Sequence, residues 1–494
     1  MRWNIVFGGP AGEGPNILTH IVAETLVEQG YCVFYSRDYQ SLIRGGHNFN
    51  ALTFSEYPVY SNDSKIDILI CLDDATEEIH KKDLKKDSII LKEKRDNMYF
   101  AGRVFKLLCL DFKLLENKLK NIEKRFEENI KEAKQGYEEE KRTACKIVPK
   151  KRDIYFTNGS LSFSEGAIKS GLDIYYAYPM TPATPVLIDL AQKQIDNNYI
   201  VLGLENEIAV INAAIGSAIT GAKSMIGTSG GGFDLMTEGL SLTGIAGVPL
   251  IIYLAQRPGP GTGVATYTAQ GDLNIARHSG HGEFPRVVLA PGDPKECKEL
   301  ASHAFYFSQK FKIPVIVMSD KHLGESFYTL SEKAEIINSE KSTSLGRYNS
   351  YETDENGSAT ENPEIIKKNV ELRNKKTLDI IKEAEKFEMY KKYEKKESKN
   401  VVVFWGSTKG AILDAIDGMN VEAIQILYID PFPKKLKNEI KGKNIILVEN
   451  NSTGLLSNLI SEKIGIFIEE KILRYDGRPF LADELKNEIE KRLK

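Results

Sequence analysis

The chain has 494 residues, and its 66 Lys and Arg side chains nearly balance its 69 Asp and Glu side chains, leaving a net charge of −3. This balance argues against nucleic acid as a partner, because chains that bind nucleic acid are usually strongly basic. The longest apolar runs, such as residues 248–255, have the length of a strand. They fall short of the roughly 20 residues that a membrane span needs, so no membrane partner is expected.

The first residues indicate a strand and a glycine turn rather than a signal peptide, so a cytoplasmic location is expected. The cysteines are widely scattered and form no C-x-x-C pair; they are Cys32, Cys71, Cys109, Cys145 and Cys297. This scatter disfavours a disulfide framework. It equally disfavours an iron–sulfur cluster held by this chain alone, which needs closely spaced thiolates.

Residues 1–112 alternate strand and helix patterns, with a predicted helix at 17–29 and predicted strands at 4–7, 31–35, 66–72 and 88–91. This rhythm predicts a parallel sheet covered by helices. Residues 8–14 resemble a dinucleotide-binding turn, although their spacing departs from G-x-G-x-x-G and a plain turn explains them too. Residues 36–48 form a polar loop, in which His47 is typical of an ordinary loop histidine.

Residues 113–152 are dense in Lys and Glu and are predicted to form a charged, solvated helical linker. Residues 331–400 are interpreted as a second charged linker or insertion, with a helix in the later part and disorder around 342–363. Two further α/β segments remain, at 153–330 and 401–494. The predicted strands are at 172–176, 199–202, 224–228, 249–254, 287–289, 314–318, 401–405, 425–429 and 444–449. The fold class is therefore α/β, with three domains joined by charged linkers.

Residues 178–185 read Tyr-Pro-Met-Thr-Pro-Ala-Thr-Pro and lie between a predicted strand and a predicted helix. Because proline fixes φ, this turn is rigid. Thr181 and Thr184 offer hydroxyl groups that can cap the helix, and a helix N-terminus favours an anion such as a carboxylate. A plain strand-to-helix turn explains the same pattern.

A carboxylate, Glu207, stands where the next predicted helix begins. That helix is apolar nearly all round and is predicted to be buried. A carboxylate there is costly unless it caps the helix or binds a partner, and both alternatives remain open.

Two further strand ends carry glycine-rich loops, at residues 228–236 and 256–273. Glycine lets a ligand approach the backbone, although each loop alone is also explained as a tight turn or a surface connection. In an open α/β sheet, ligands bind outside the carboxyl ends of the strands. The loops together therefore predict a ligand site.

Four of these segments, in order and at matching spacing, resemble the 2-oxoacid:ferredoxin oxidoreductases. Residues 178–185 resemble Y-P-I-T-P-S, and residues 205–221 resemble E-x-E-I-A-x-I-N-A-A-I-G-A. Residues 228–239 resemble T-S-G-P-G-F-S-L-M-x-E-G, and residues 257–273 resemble R-x-G-P-S-T-G-x-P-T-x-T-E-Q-x-D-L. The resemblance implies an alpha subunit with a fused gamma domain. Its domains would be gamma-like at 1–112, thiamine-diphosphate pyrimidine-binding at 153–330, and transketolase C-terminal-like at 401–494.

The resemblance implies oxidative decarboxylation of a 2-oxoacid, with 2-oxoglutarate favoured, coenzyme A as cosubstrate and ferredoxin as electron acceptor in anaerobic metabolism. Thiamine diphosphate would be shared with a beta subunit that holds Mg²⁺ and a [4Fe–4S] cluster, in an (alpha beta)2 or larger assembly. The sequence has no G-D-G motif, as expected when the partner carries the diphosphate site.

Residue by residue, the resemblance implies that Glu207 binds the aminopyrimidine N1′ and that Thr181 is also catalytic. It implies substrate contacts for Tyr178, Arg257, Thr262 and Tyr267, and cofactor contacts for Pro179, Ser229, Gly230 and Phe233. It implies no metal site on this chain.

The sequence departs from the family pattern at residues 260–263 and 265–270. Tyr267 stands where some members have a basic residue, a change that bears on which 2-oxoacid fits. Two alternatives stay open. One is another thiamine-diphosphate carbon–carbon transferase, which the order of the loops disfavours. The other is a non-catalytic nucleotide-binding or assembly subunit, which Glu207 disfavours and the changes at Tyr267 and Ala269 allow.

Overall fold

The computed structural model describes residues 2–10, 14–40, 46–121, 125–342, 348–393 and 398–493. Parts of the loops predicted at 8–14 and 36–48, and part of the stretch predicted to be disordered, lie outside the described residues. The chain forms two compact units. Unit 1 is Met1–Thr157, Ser326–Glu332 and Phe480–Lys486, and unit 2 is Asn158–Glu325, Lys333–Pro479 and Asn487–Lys494.

The elements of the first part of the chain are β1 (Arg2–Gly9), α1 (Pro15–Glu28), β2 (Cys32–Asp38), β3 (Asn48–Ser55), β4 (Ile66–Cys71), α2 (Asp74–His80), β5 (Leu84–Lys92), α3 (Asn97–Leu107), α4 (Phe112–Leu119) and α5 (Phe126–Glu139). The middle part contains β6 (Tyr155–Asn158), α6 (Gly159–Lys169), β7 (Ile174–Ala177), α7 (Thr184–Asn197), β8 (Ile200–Gly203), α8 (Glu207–Ile219), β9 (Ser224–Thr228), α9 (Gly230–Leu235), α10 (Thr237–Ala246), β10 (Leu250–Gln256), α11 (Leu273–His278), β11 (Val287–Leu289), α12 (Pro294–Phe311), β12 (Pro314–Asp320), α13 (Lys321–Glu325) and β13 (Phe327–Leu330).

The last part contains α14 (Pro363–Ala384), β14 (Tyr390–Tyr393), β15 (Asn400–Trp405), α15 (Lys409–Ala415), β16 (Glu422–Ile426), β17 (Tyr428–Asp430), α16 (Leu436–Ile440), β18 (Asn444–Glu449), α17 (Leu455–Ile464), β19 (Glu470–Leu473) and α18 (Ala482–Glu490). Helices and strands alternate along most of the chain, which confirms the α/β class. Among the helices of the described residues, none is long and apolar enough to cross a membrane.

The sheet of unit 1 has the order β5-β4-β1-β3-β2-β13-β6. The prediction of a parallel sheet is wrong here, because β3 is antiparallel to both β1 and β2. The sequence prediction missed β3, since its core-facing positions include polar side chains. Asn50 and Thr53 are buried. The Asn50 side chain is stabilised there because its Nδ2 donates a 3.1 Å hydrogen bond to Thr19 Oγ1, which replaces a bond to water.

The segment predicted to be a solvated linker packs instead into unit 1. Leu115 and Leu119 of α4 and Ala133 of α5 are fully buried in its apolar core. A Cβ atom on Gly102 of α3 would lie 1.9 Å from the Ala133 carbonyl oxygen. The backbones of α3 and α5 therefore lie so close together that only glycine fits at position 102. The charged surface of these helices hides a narrow apolar face, which explains why composition alone indicates a linker.

Unit 2 contains two sheets. The larger has the order β17-β11-β12-β10-β9-β7-β8 and is parallel except for β17, whereas the smaller has the order β14-β16-β15-β18-β19 and is parallel except for β14. The single strand predicted at 425–429 is in fact two strands, and they join different sheets. Residues 331–400 are also more than a linker, because they supply α14 and the edge strand β14.

Candidate active site

Four neighbouring strands of the larger sheet end at one edge of unit 2. β10, β9, β7 and β8 are mutually parallel. Their register pairs Ala177 with both Gly203 and Gly227, and Leu254 with Thr228. The loops that follow these strands therefore begin side by side. The four motifs that the sequence analysis treated as one site lie on this edge, where α/β proteins bind ligands.

Glu207 is the first residue of α8 and is 4% exposed. It does not cap the helix, because Asn206 is the N-cap residue and its Oδ1 atom accepts a 2.8 Å hydrogen bond from the Ala209 N–H. No group in the described part of the chain donates a hydrogen bond to the Glu207 carboxylate. A buried carboxylate in this position is suited to a ligand that donates an N–H.

The glycine loop after β9 closes over this carboxylate. A Cβ atom on Gly232 would lie 2.8 Å from Glu207 Oε1 and 2.3 Å from Thr228 Oγ1. The backbone of α9 can therefore lie against Glu207 only because residue 232 has no side chain. Ser229, just before α9, is fully buried, and within the part of the chain that the structure describes its Oγ atom has no hydrogen-bond partner.

Thr181 and Arg257 are joined by a hydrogen bond. Arg257 Nη1 donates to the Thr181 carbonyl oxygen over 2.6 Å. The Arg257 Nε atom is buried, and no acceptor for it is found among the described residues. Neither Thr181 nor Thr184 caps α7, since Ala183 occupies the N-cap position without a side-chain hydrogen bond. The Thr181 backbone carbonyl therefore fixes the position of the Arg257 guanidinium.

The carboxylate of Asp272 packs against the same glycine loop, with its Oδ2 atom 2.6 Å from where a Cβ on Gly230 would lie. Burial and the charge of Asp234 raise the pKa of Asp272 to about 6, although Arg257 opposes the shift. Burial lowers the pKa of Arg257 in turn. The sequence analysis did not predict a role for Asp272, although Asp272 is the next-to-last residue of the fourth family-like motif.

The loop of residues 257–273 carries Thr262 and Tyr267. Thr262 is exposed, whereas Tyr267 is half-buried beneath the guanidinium of Arg478, which lies 3.7 Å from the ring centroid. Gln270 anchors the loop, because its Nε2 donates to the Trp405 carbonyl oxygen and its Oε1 accepts from the Asn450 N–H. Arg478 and Gln270 were not predicted as site residues.

The remaining predicted residues lie in different surroundings. Tyr178 and Pro179 are exposed at the edge of the sheet. Phe233 is fully buried in the apolar core of unit 2. The cofactor contact predicted for Phe233 stays a prediction.

The chain is similar to known proteins in sequence and in fold. Residues 165–399 match the family model described as pyruvate flavodoxin/ferredoxin oxidoreductase, thiamine diP-bdg, and residues 4–97 match the model described as pyruvate ferredoxin/flavodoxin oxidoreductase. The chain is 30% identical to 2-oxoglutarate synthase subunit KorA of Methanocaldococcus jannaschii, across 60% of this chain and 88% of that protein. The chain belongs to the 2-oxoacid:ferredoxin oxidoreductase family.

Within this family the chain is an alpha subunit with a fused gamma domain, part of a thiamine-diphosphate-dependent enzyme. The 2-oxoacid:ferredoxin oxidoreductase subunit alpha of a Sulfolobus species is 29% identical across 100% of this chain and 97% of its own length. The fold matches that of 2-oxoglutarate:ferredoxin oxidoreductase from Magnetococcus marinus with a TM-score of 0.91 and 22% identity, over 100% of both chains.

The alpha subunit offers thiamine diphosphate a fitting surface at this edge. The aminopyrimidine needs a buried carboxylate without a protein donor, which Glu207 supplies, and close access to backbone, which the glycine loop supplies. Among the described residues, no three His, Cys, Asp or Glu side chains converge so that they could hold a metal ion.

Proposed function

We propose that this alpha subunit, together with a beta subunit, catalyses the coenzyme A-dependent oxidative decarboxylation of a 2-oxoacid, with 2-oxoglutarate favoured and ferredoxin as electron acceptor. The Methanocaldococcus jannaschii relative is named a 2-oxoglutarate synthase, and the Magnetococcus marinus structure has 2-oxoglutarate, coenzyme A and succinyl-CoA bound. Mg²⁺ and a [4Fe–4S] cluster are assigned to the beta subunit, in an (alpha beta)2 or larger cytoplasmic assembly.

The position of the Glu207 carboxylate is the main support for this proposal. Glu207 is buried, does not cap a helix and lies against Gly232. Glu207 would form a hydrogen bond with N1′ of the aminopyrimidine ring and share a proton with that nitrogen. A buried carboxylate interacts strongly with that nitrogen, since little water competes for it. Bound thiamine diphosphate supplies a carbon nucleophile for the keto group and takes up the electron pair that loss of CO₂ leaves behind.

Arg257 is the residue we assign to the carboxylate of the 2-oxoacid. Its hydrogen bond to the Thr181 carbonyl oxygen fixes the plane of the guanidinium, and other N–H groups of the fork remain to bind oxygen. Ser229 and Gly230 would line the cofactor side. The buried Ser229 hydroxyl, which has no hydrogen-bond partner in the described residues, would bind a polar atom there.

The test begins with anaerobic purification of the chain from its native cells. A co-purifying smaller chain, about four iron atoms per pair and reduction of a viologen dye with a 2-oxoacid and coenzyme A are the expected results. An iron-free chain that purifies alone and reduces no dye would contradict the proposal and favour an assembly role.

Glu207→Gln in the same complex tests the assigned residue, with Glu205→Gln as the matched control because Glu205 is exposed two positions earlier. We expect Glu207→Gln to abolish measurable dye reduction while the purified complex keeps its subunits and iron. Glu205→Gln should keep wild-type turnover. Unchanged activity in Glu207→Gln would remove Glu207 from the mechanism.

A further inference from the structure

A second carboxylate, that of Asp272, lies against the glycine loop beside Glu207. A Cβ atom on Gly230 would lie 2.6 Å from Asp272 Oδ2 and 2.9 Å from Asp272 Oδ1. Within the described residues the buried Oδ2 atom has no hydrogen-bond partner, and the side chain does not cap α11, which begins at the next residue. A buried carboxylate oxygen without a partner is costly, so a function for Asp272 has to be sought in its charge.

The backbone of Asp272 is fixed at the strand end from which the Arg257 loop begins. The Asp272 N–H donates to Gln256 Oε1 over 3.0 Å, and Gln256 Nε2 donates to the Ser319 carbonyl oxygen over 3.1 Å. Gln256 is buried, is the last residue of β10 and directly precedes Arg257. Both ends of this loop, Arg257 and Asp272, are therefore held next to one buried side chain.

Arg257 and Asp272 act on each other electrostatically. Burial and the charge of Asp234 on α9 raise the pKa of Asp272 to about 6, and the charge of Arg257 opposes that shift. Burial lowers the pKa of Arg257, and the charge of Asp272 opposes that shift. Each group therefore stabilises the charged form of the other in a place where little water does so.

We infer that Asp272 is a positioning residue that is the counter-ion of Arg257 in the substrate-free enzyme and takes up a proton when a 2-oxoacid carboxylate binds Arg257. This inference rests on the proposed function, which assigns the substrate carboxylate to Arg257. Two carboxylates beside one buried guanidinium repel each other, so one of them must be neutral. A 2-oxoacid is a stronger acid than an aspartic acid side chain, so the proton goes to Asp272.

Decarboxylation reverses this change. The bond between the carboxylate carbon and the keto carbon breaks, its electron pair stays on the side of the keto carbon, and CO₂ leaves as a neutral molecule. Arg257 then lacks its substrate anion, and Asp272 releases its proton to solvent as it becomes the counter-ion again. One proton is taken up and one is released, so the overall reaction is unchanged.

The pH dependence of kcat/KM for a 2-oxoacid tests the inference, with viologen reduction by the purified complex measured from about pH 5 to about pH 8. For wild type, kcat/KM should fall about tenfold for each pH unit above about 6, because the free enzyme must first take up the proton. Asp272→Asn has no carboxyl group to titrate, so this fall should disappear. Its kcat/KM at pH 8 should exceed that of wild type by roughly 10- to 100-fold, through a lower KM.

A gain at pH 8 separates this role from a merely structural one, because loss of a structural contact lowers kcat/KM at every pH. Asp196→Asn is the matched control, since Asp196 is exposed near the end of α7. Its pH profile should match that of wild type. Asp234→Asn is a second test that does not depend on the folding of Asp272→Asn. It removes a charge that raises the pKa of Asp272, so the fall in kcat/KM should begin at a lower pH.

The outcomes for the inference and for the proposed function are distinct. A pH profile unchanged by Asp234→Asn, or a profile in Asp272→Asn that keeps its fall above pH 6 or lies below wild type at every pH, would overturn the inference. Turnover of a 2-oxoacid by wild type would leave the proposed function intact in that case. Turnover of none of 2-oxoglutarate, pyruvate and 2-oxobutyrate would overturn the proposed function and the inference with it.

Discussion

Gly232 sets the distance between the glycine loop and the Glu207 carboxylate. Its hypothetical Cβ atom meets both Glu207 Oε1 and Thr228 Oγ1 closer than 3.0 Å, and the second of these groups lies on a buried strand that cannot give way easily. The predicted motif marked this loop as a ligand-binding turn. The structure shows in addition why residue 232 is a glycine: a side chain there would collide with Glu207 and Thr228, whether or not a ligand is bound.

We predict that Gly232→Ala lowers turnover by roughly 10- to 100-fold, because a small displacement of a reacting group has an effect of that size. Gly216→Ala on α8 is the control, since a Cβ atom there would meet nothing within 4 Å. Viologen reduction by the two purified variants measures the difference. Similar activity in both variants would mean that catalysis tolerates a small displacement of the glycine loop relative to the Glu207 carboxylate.

At the scale of the element, Glu449 joins the end of β18 to the start of α17. Its carboxylate is fully buried, accepts a 2.7 Å hydrogen bond from Trp405 Nε1 and accepts from the Leu456 N–H. Burial raises the pKa of Glu449 from 4.5 to about 7, although these hydrogen bonds and the charge of Lys471 oppose the shift. The folded chain therefore holds this proton more tightly than the unfolded chain does.

The sign of the pH dependence follows from that difference. As the pH rises from 4.5 to about 7, the unfolded state releases the proton first, so this group lowers the stability of the fold. Glu449→Gln keeps an acceptor for the two donors and removes the titration. We expect it to stabilise the protein more at pH 8 than at pH 5, by about 2 kcal/mol.

Thermal unfolding of wild type, Glu449→Gln and Glu469→Gln at the two pH values measures this effect. Glu469 is exposed, so its replacement should shift the midpoint equally at both pH values. The same equal shift for Glu449→Gln would show that the Glu449 carboxyl does not titrate in this range.

At the scale of the whole molecule, the two sheets of unit 2 meet at Gln270. All four of its polar groups are bonded to residues at the ends of β15 and β18, since its backbone N–H and carbonyl also bind Asn450 and Asn451. Gln270 is fully buried. The site loop of the larger sheet is thereby fixed to the smaller sheet, which also carries the turn with Arg478.

We predict that Gln270→Ala lowers the thermal midpoint of the complex by roughly 5 °C. The change leaves the Asn450 N–H without its acceptor and removes one of two donors to the Trp405 carbonyl, the other being the Thr408 hydroxyl. KM for the 2-oxoacid should rise as the loop loosens. Asn274→Ala, an exposed change just beyond the loop, should alter neither quantity. An unchanged midpoint and KM in Gln270→Ala would mean that other contacts hold the loop.

The sequence by itself determined the α/β class, the family and the set of loops that form the candidate site. Those features are local: a strand, a glycine or proline turn and a helix start within a few positions of one another, and parallel strands bring such turns to one edge. Glu207 at the start of an apolar helix was recognisable for the same reason. The catalytic and binding roles of the predicted residues remain predictions.

Only the tertiary structure decided features that depend on residues distant in the chain. The antiparallel β3 is stabilised by buried partners for its polar side chains, and the charged α4 and α5 are held by a narrow apolar face. The positions of Arg478 over Tyr267 and of Gln270 between two sheets have no local pattern. Packing and hydrogen bonding between separate segments set them, and periodicity along the chain does not record which segments meet.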